Sequence, residues 1–326
     1  MLRFRASLIL AALLAAATTA VAAQSFSVPP HFEVVPLPGD YNLLVGLTFA
    51  PDGTAFVIRK TGIVHVRDAA GQPQAAPFID LSAEINNDGD RGLLSIALHP
   101  GFVPDGGPTS WVYLAYLVSP VPPNDNGFNQ DDKYSFCRLT RYQATTSGSG
   151  IVAVAASRQV LLGHQNPDGS VSDCIASLHD SHATGAMRFA SDGSLLLSTG
   201  DGSHYDFQDN GGADNAGFDT FIHPQTGLKG PTPKVQDSGS FRSQDLRSLS
   251  GKVLRLDPAT GFGYPSNPFF DGQPASNASR VWALGLRNPY RFAPRPGTGA
   301  NDPALGRPNT IYLGDVGWNA WEETDV

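Results

Sequence analysis

Hydrophobic and polar positions in this chain fall into short blocks of strand length, separated by turns rich in Gly, Pro, Asp and Ser. A first apolar run, Phe32 to Leu37, is closed by its own proline and reads as a short strand. Gly46 to Ile58 then reads as strand, Pro-Asp-Gly turn and strand, and Ile63 to Val66 follows after a Gly turn. The pattern returns in Leu94 to Phe102 leading into Trp111 to Tyr116, in Met187 to Ser198 around Ser191-Asp192-Gly193, and in Tyr290 to Ala293 leading to Ile311 to Asp315. The interval from Asp52 to Pro100 is about fifty residues, and later recurrences fall near twice that spacing. A meander of this kind cannot bury both faces by itself. Radial packing, in which each sheet covers its neighbour, predicts an all-β propeller; a sandwich or two packed barrels is the alternative.

Two stretches break the pattern. Residues 119–132 (SPVPPNDNGFNQDD) and 201–240 are polar, rich in Gly, Asn and Asp, and long for connections, which predicts surface excursions of the kind that shape a site. Composition agrees with a loop-rich β protein: 35 Gly and 26 Pro in 326 residues exceed the usual combined share of about 12 per cent. No linker divides the chain, so one large domain is expected.

The first residues change the picture of compartment. Arg3 and Arg5 precede an apolar, Ala-rich run from Leu8 to Ala23, and Ala20-Val21-Ala22 presents small residues at signal-peptidase spacing. Residues 1–23 are read as a signal peptide and 24–326 as the mature domain, with a secreted or periplasmic destination and no further membrane span. Loss of Arg3 and Arg5 takes the formal charge from −8 to −10, and an acidic surface argues against nucleic acid as partner. In an exported chain the two cysteines, Cys137 and Cys174, are expected as a disulfide, with two free thiols as the alternative.

The candidate chemistry lies at strand ends. In SHATGAMRFASDGSLLLSTGDG, Ser181 to Gly202, His182 and Asp201 stand at the two outer ends of one hairpin whose strands each span about 20 Å, so both reach one rim. They read as a general base with its tautomer held by an acid, or as residues that cap strands. Asp90, in Asp90-Arg91-Gly92, and Arg287, in Leu286-Arg287-Asn288-Pro289, occupy comparable ends, and a propeller would gather all four around its channel. Arg287 would supply a fixed cation, or else pair with Asp315. Serine-hydrolase elbow, zinc-protease and Walker motifs are absent.

The order of these motifs resembles the PQQ-dependent sugar dehydrogenases of the glucose/sorbosone dehydrogenase family. Asp90-Arg91-Gly92-Leu93-Leu94, Ala97 to Phe102, Ser181-His182 with Gly185, Gly200-Asp201, Gly251 to Asp257, Gly285 to Pro289, and Gly314 to Gly317 with Glu322-Glu323 follow one another in register. The resemblance runs from about Gly46 to the last residue and implies a six-bladed β-propeller. It also implies that the chain, ending at Val326, lacks the last blade or blades.

The resemblance further implies a mechanism. His182 would take the sugar hydroxyl proton while hydride passes from the anomeric carbon to the quinone; Asp201 would support it, and Arg287 would sit beside the reacting quinone oxygen. Asp90 and Asn288 would contact PQQ, the carbonyls of Gly317 and Trp318 would hold Ca2+, and Glu322 and Glu323 would lie near a second calcium. The family's basic residues that clamp the PQQ carboxylates are expected past Val326, so the chain could equally be an inactive fragment. Two departures stand out: Ser181 replaces a common Asp, and Asp90 stands where Glu or Gln is frequent. A sugar substrate and a separate electron acceptor are the implied partners. A non-catalytic extracellular propeller that binds protein or glycan is the alternative.

Overall fold

The computed structural model describes residues 27–35, 42–118, 135–148, 150–212, 217–224, 226–318 and 321–326. The signal-peptide reading and the 119–132 excursion therefore lie outside the described residues. The chain divides into residues 1–37 and a compact unit of residues 38–326. In the first unit, Phe32 to Val35 are exposed and carry no strand assignment, and the remainder of the expected strand, Pro36 and Leu37, lies outside the described residues.

Four antiparallel sheets make up the second unit. The first is β1 (Leu44–Phe49), β2 (Ala55–Arg59), β3 (Ile63–Arg67) and β4 (Ile79–Asp80), paired in that order. The second places β5 (Leu93–Leu98), β6 (Trp111–Val118), β7 (Ser135–Ser147) and β10 (Ile175–Ser177) in series, with β8 (Gly150–Ala153) and β9 (Gln159–Leu162) on β7. The third is β11 (Thr184–Phe189), β12 (Leu195–Thr199), β13 (Lys252–Leu256) and β14 (Val281–Leu284), and the fourth is β15 (Arg291–Pro294), β16 (Ile311–Asp315) and β17 (Glu323–Asp325). β5 adjoins both β1 and β11, and β11 adjoins β15, so the first strand of each sheet faces a shared channel. Arg291 Nη2 donates to Val45 O at 2.8 Å and ties the fourth sheet to the first across it. This is a propeller of four blades among the described residues, where the resemblance implied six.

Period-two alternation builds the layers between blades. On β6, Val112, Leu114, Tyr116 and Val118 enter the core shared with Phe56, Ile58 and Val64 of the first blade. The alternate residues Tyr113, Ala115 and Leu117 enter a second core with Met187, Leu197 and Leu254 of the third blade. A smaller third core joins Leu196 and Val253 to Phe292 and Leu313. Because both faces of a middle blade are covered, its strands read as continuous apolar runs. Each fully buried leucine contributes about 1.5–3 kcal/mol.

The same alternation corrects the disulfide. Cys137 is paired with Ile175 across β7 and β10, so the next residue back, Cys174, points to the other face of the sheet. Cys137 packs in the second core and Cys174 in the first, and both are free thiols. Burial pushes each thiol up to about 12, which keeps both protonated and unreactive.

Candidate functional site

The hairpin of β11 and β12 places the site. Thr184 pairs with Thr199, which leaves His182 and Asp201 adjacent just beyond the last ladder residues. His182 Nδ1 is 2.8 Å from Asp201 Oδ1, with side chains only 3% and 4% exposed. Asp201 Oδ1 also accepts from Ser203 N at 2.8 Å. With Nδ1 engaged by a carboxylate, Nε2 is the nitrogen left to exchange a proton.

The backbone around this pair is tight. His182 is held at φ 50, in the left-handed region that a residue with a Cβ seldom adopts. Gly200 is where the returning strand passes: a Cβ there would lie 2.2 Å from His182 O, so only glycine permits the approach. Gly202 N donates to His182 O and Gly200 N to Ala183 O, fixing both ends of the turn.

Beside the pair, two buried cations are tied into the backbone, and one of them reaches Asp209 in the 201–240 excursion. Arg242 Nε donates to Asp201 O at 3.0 Å, and its Nη2 pairs with Asp209 at 3.0 Å. Lys252 Nζ donates to the carbonyls of Arg242, Ser243 and Ser250 at 2.7 to 2.9 Å. Burial pushes this ammonium down to about 7, against the pull of Asp245 and Asp201.

Arg287 reaches the site from the start of the fourth blade. Its Nη1 donates to Val316 O at 2.9 Å and Gly317 O at 2.8 Å, which aims a fixed positive charge beside the cavity. The sequence's alternative partner, Asp315, instead accepts from the backbone N–H groups of Arg287 and Asn288, at 2.8 and 2.5 Å. The Arg287 carbonyl accepts from Asp201 N at 2.8 Å, joining the third and fourth blades at the site.

Two cavities meet at His182, Arg287 and Trp318. One, about 480 Å³, opens over His204, Phe207, Phe241 and Gln244. The other, about 380 Å³, is bordered by Asp90, Tyr205, Asp206, Asn288, Val316, Gly317 and Glu322. His204 is stacked between Tyr205 and Phe207, with ring centroids at 4.6 and 4.2 Å, and His179 meets His204 and Phe207 edge-on. Tyr205, Phe207, Phe241 and Trp318, which line these cavities, are each about half exposed or more and form an aromatic wall.

The structure thus brings His182, Asp201, Arg287, Asp90 and Asn288 to one channel mouth. It separates the two glutamates. Glu322 Oε2 accepts from Gly317 N at 2.8 Å and borders the second cavity, whereas Glu323 stands opposite Asp315 in the β16–β17 register. Asp315, Glu323 and Asp325 bring carboxylate oxygens within 4.8 Å of one another. Burial, reinforced by Asp325 and Glu323, pushes the Asp315 carboxyl above its usual range. Gly317 O already accepts from Arg287, and Trp318 contributes its exposed ring to the wall.

His204, Tyr205, Phe207, Asp209 and Arg242 were not singled out from the sequence. The cluster His204-Tyr205-Asp206-Phe207 inside a polar excursion was the available signal. Arg242 carried none, because its partners Asp201 and Asp209 lie 41 and 33 residues away.

Among solved structures, the chain is similar to the soluble aldose sugar dehydrogenase of Escherichia coli in its apo form, at 17% identity and TM-score 0.52, covering 87% of this chain and 60% of that one. A glucose dehydrogenase structure matches at 18% identity and TM-score 0.54, covering 87% and 65%. At these identities the likeness is one of fold. Among curated proteins, HIPL2 protein of Arabidopsis thaliana is 25% identical over 311 residues, covering 85% of this chain. Hedgehog-interacting protein of Homo sapiens is 24% identical over 265 residues, covering 76%. The chain spans 38% of the length of the first and 30% of the second. The sequence profile of the Glucose / Sorbosone dehydrogenase family matches residues 42–300, most of the four-bladed unit, and the chain belongs to that family.

Proposed function

We propose that the chain is a sugar dehydrogenase that oxidises an aldose at its anomeric carbon, with His182 as the general base. The observation that carries this reading is the His182–Asp201 pair, 2.8 Å apart, at the junction of two cavities that Arg287 also borders. Oxidation of an alcohol carbon requires loss of the hydroxyl proton as the hydride departs. Neutral His182 Nε2 accepts that proton, and Asp201 holds the ring in orientation and stabilises the resulting imidazolium. The guanidinium of Arg287 lowers the energy of negative charge developing nearby. Tyr205, Phe207 and Trp318 pack on the sugar ring and exclude water from it.

The donor set fits PQQ together with calcium rather than PQQ alone. Asp90, Asp206 and Glu322 border the second cavity, and among the described residues that line it Arg287 is the sole cationic side chain. A tricarboxylate entering by itself would meet net negative charge. Calcium favours carboxylate and amide oxygens, which Asp90, Glu322 and Asn288 offer, and Arg287 with Asn288 would hold the quinone end. PQQ, when bound, supplies the hydride acceptor. Asp315, Glu323 and Asp325 would hold a second calcium with a structural role.

The experiment is reconstitution of the protein with PQQ and calcium, assayed with an artificial electron acceptor against a panel of aldoses. Acceptor reduction that disappears in His182→Gln supports the proposal. Acceptor reduction unaffected by that change rejects His182 as the base.

A second reading draws on the human relative, whose name describes interaction with Hedgehog. On that reading the aromatic and acidic mouth binds a protein or glycan outside the cell and catalyses nothing. Saturable glycan or protein binding without turnover in the same assay would favour it.

A further inference from the structure

Deeper in the channel, past the site, is a separate cavity of about 190 Å³. It is walled by the inner strands of all four blades, including Gly46, Ser95, Ile96 and Ala186, and two arginines, Arg188 and Arg291, border it. No carboxylate is among the described residues that line it. It shares Leu94 with an intermediate cavity of about 330 Å³, which in turn shares Asp90 and Asn288 with the site.

Each guanidinium is only partly engaged. Arg188 Nη1 donates to Met187 O at 2.8 Å. Arg291 donates to Tyr290 O and Val45 O at 2.9 and 2.8 Å, and its guanidinium lies 3.8 Å over the Tyr290 ring. Those acceptors are backbone carbonyls, which satisfy hydrogen bonds but carry no net charge. Two arginines so placed repel each other, and arginine does not escape by deprotonating. Burial, then the charge of Arg291, pushes the Arg188 guanidinium below its usual range. Arg188 is exposed at the rim of this cavity and Arg291 is half-buried, and guanidinium forks that border one small cavity are what planar or tetrahedral oxyanions are recognised by.

We propose that Arg188 and Arg291 form a binding site for a small oxyanion within the central channel. The cavity, about 190 Å³, has room for a phosphate, a sulfate or a small carboxylate. The anion neutralises the pair and bridges β11 to β15, the inner strands of the third and fourth blades. Occupancy therefore stabilises the assembly of those blades, and the site acts independently of any redox chemistry at His182.

The test is calorimetric titration of the protein with inorganic phosphate at constant ionic strength, with sodium acetate and sodium chloride as parallel arms, and melting temperature as a second readout. Saturable phosphate binding that raises the melting temperature is expected, with chloride inert. Arg188→Gln should weaken it at least tenfold while leaving the unliganded melting temperature unchanged or higher, since a repulsion is removed. Arg291→Lys keeps the charge and a donor for Val45 O but loses the fork, and should also weaken phosphate. Acetate binding as tightly as phosphate assigns the site to carboxylates, and phosphate alone assigns it to tetrahedral dianions. No saturable binding in the native protein, or equal affinity in Arg188→Gln, overturns the proposal.

Discussion

His182 Nδ1 lies 2.8 Å from Asp201 Oδ1 although 19 positions separate them, because the β11–β12 register ends at the pair Thr184 and Thr199. If the pair removes a proton, the carboxylate matters through tautomer and charge rather than through bulk. Asp201→Asn is expected to lower turnover by about 10²- to 10⁴-fold with little change in sugar KM. Steady-state kinetics of the reconstituted protein would show it. A loss confined to KM would mean that Asp201 only shapes the cavity.

The left-handed backbone at His182 makes some replacements better controls than others. Asn tolerates φ near 50, whereas a β-branched residue is strained there. His182→Asn is therefore expected to melt closer to the native protein than His182→Val, while both lack activity. Thermal melts of the two variants check this, and equal melting temperatures would show that packing, not backbone strain, governs the position.

A buried ion pair braces the third blade. Arg255 Nη2 lies 2.7 Å from Asp192 Oδ2, both side chains fully enclosed, and the guanidinium packs over Tyr264 and Trp282. Arg255 Nη2 also donates to Pro303 O at 2.7 Å, between the last two blades. Removing one partner strands the other charge, so Asp192→Ala should cost about 3–5 kcal/mol in urea unfolding. A cost below about 1 kcal/mol, the range of exposed pairs, would show that water reaches the pair.

His164 provides a pH handle away from the site. Its Nδ1 lies 2.7 Å from Asp173 Oδ2, and that hydrogen bond raises the pKa of this half-exposed ring above 6.5 against a partial loss of solvent. A raised folded-state pKa means that the stabilisation is complete below pH 6.5 and is lost as the pH rises through the folded value. Melting temperatures recorded between pH 5 and 8 should fall more steeply for the native protein than for His164→Gln. Parallel profiles would remove His164 as the source.

Metal removal separates the two parts of the proposed cofactor site. With Asp90, Asp206 and Glu322 around the second cavity, PQQ binding is expected to depend on calcium and to be abolished by EDTA, then restored by added Ca2+. PQQ absorbance titrations would report this directly. Binding indifferent to EDTA would mean that the cofactor's charge is balanced by Arg287 and other side chains.

Much of the architecture is legible in the sequence. The Pro51-Asp52-Gly53 and Ser191-Asp192-Gly193 turns are formed as read: Gly53 and Gly193 adopt φ 87 and 81, and each aspartate Oδ1 accepts from the N–H two residues on. The apolar run Trp111 to Tyr116 became part of a middle strand, Trp111–Val118, covered on both faces. The rest depended on facts of opposite faces and distant neighbours. An even pair of cysteines in an exported chain suggested a disulfide, yet one residue of offset put Cys137 and Cys174 on opposite sides of a sheet.

What the sequence determined alone was local: the strand period, the turn chemistry, and which residues stand at strand ends beside a channel. Those follow from backbone sterics and alternation, which act over a few residues. Only the tertiary structure decided that Arg287 would bind the carbonyls of Val316 and Gly317 while Asp315 caps its backbone, and that Glu322 and Glu323 would part company. It also placed Arg242 under Asp201 and left Arg188 and Arg291 sharing a cavity without an acid. Such pairings are set by how blades pack around an axis, and no local pattern of residues encodes which distant side chain will arrive.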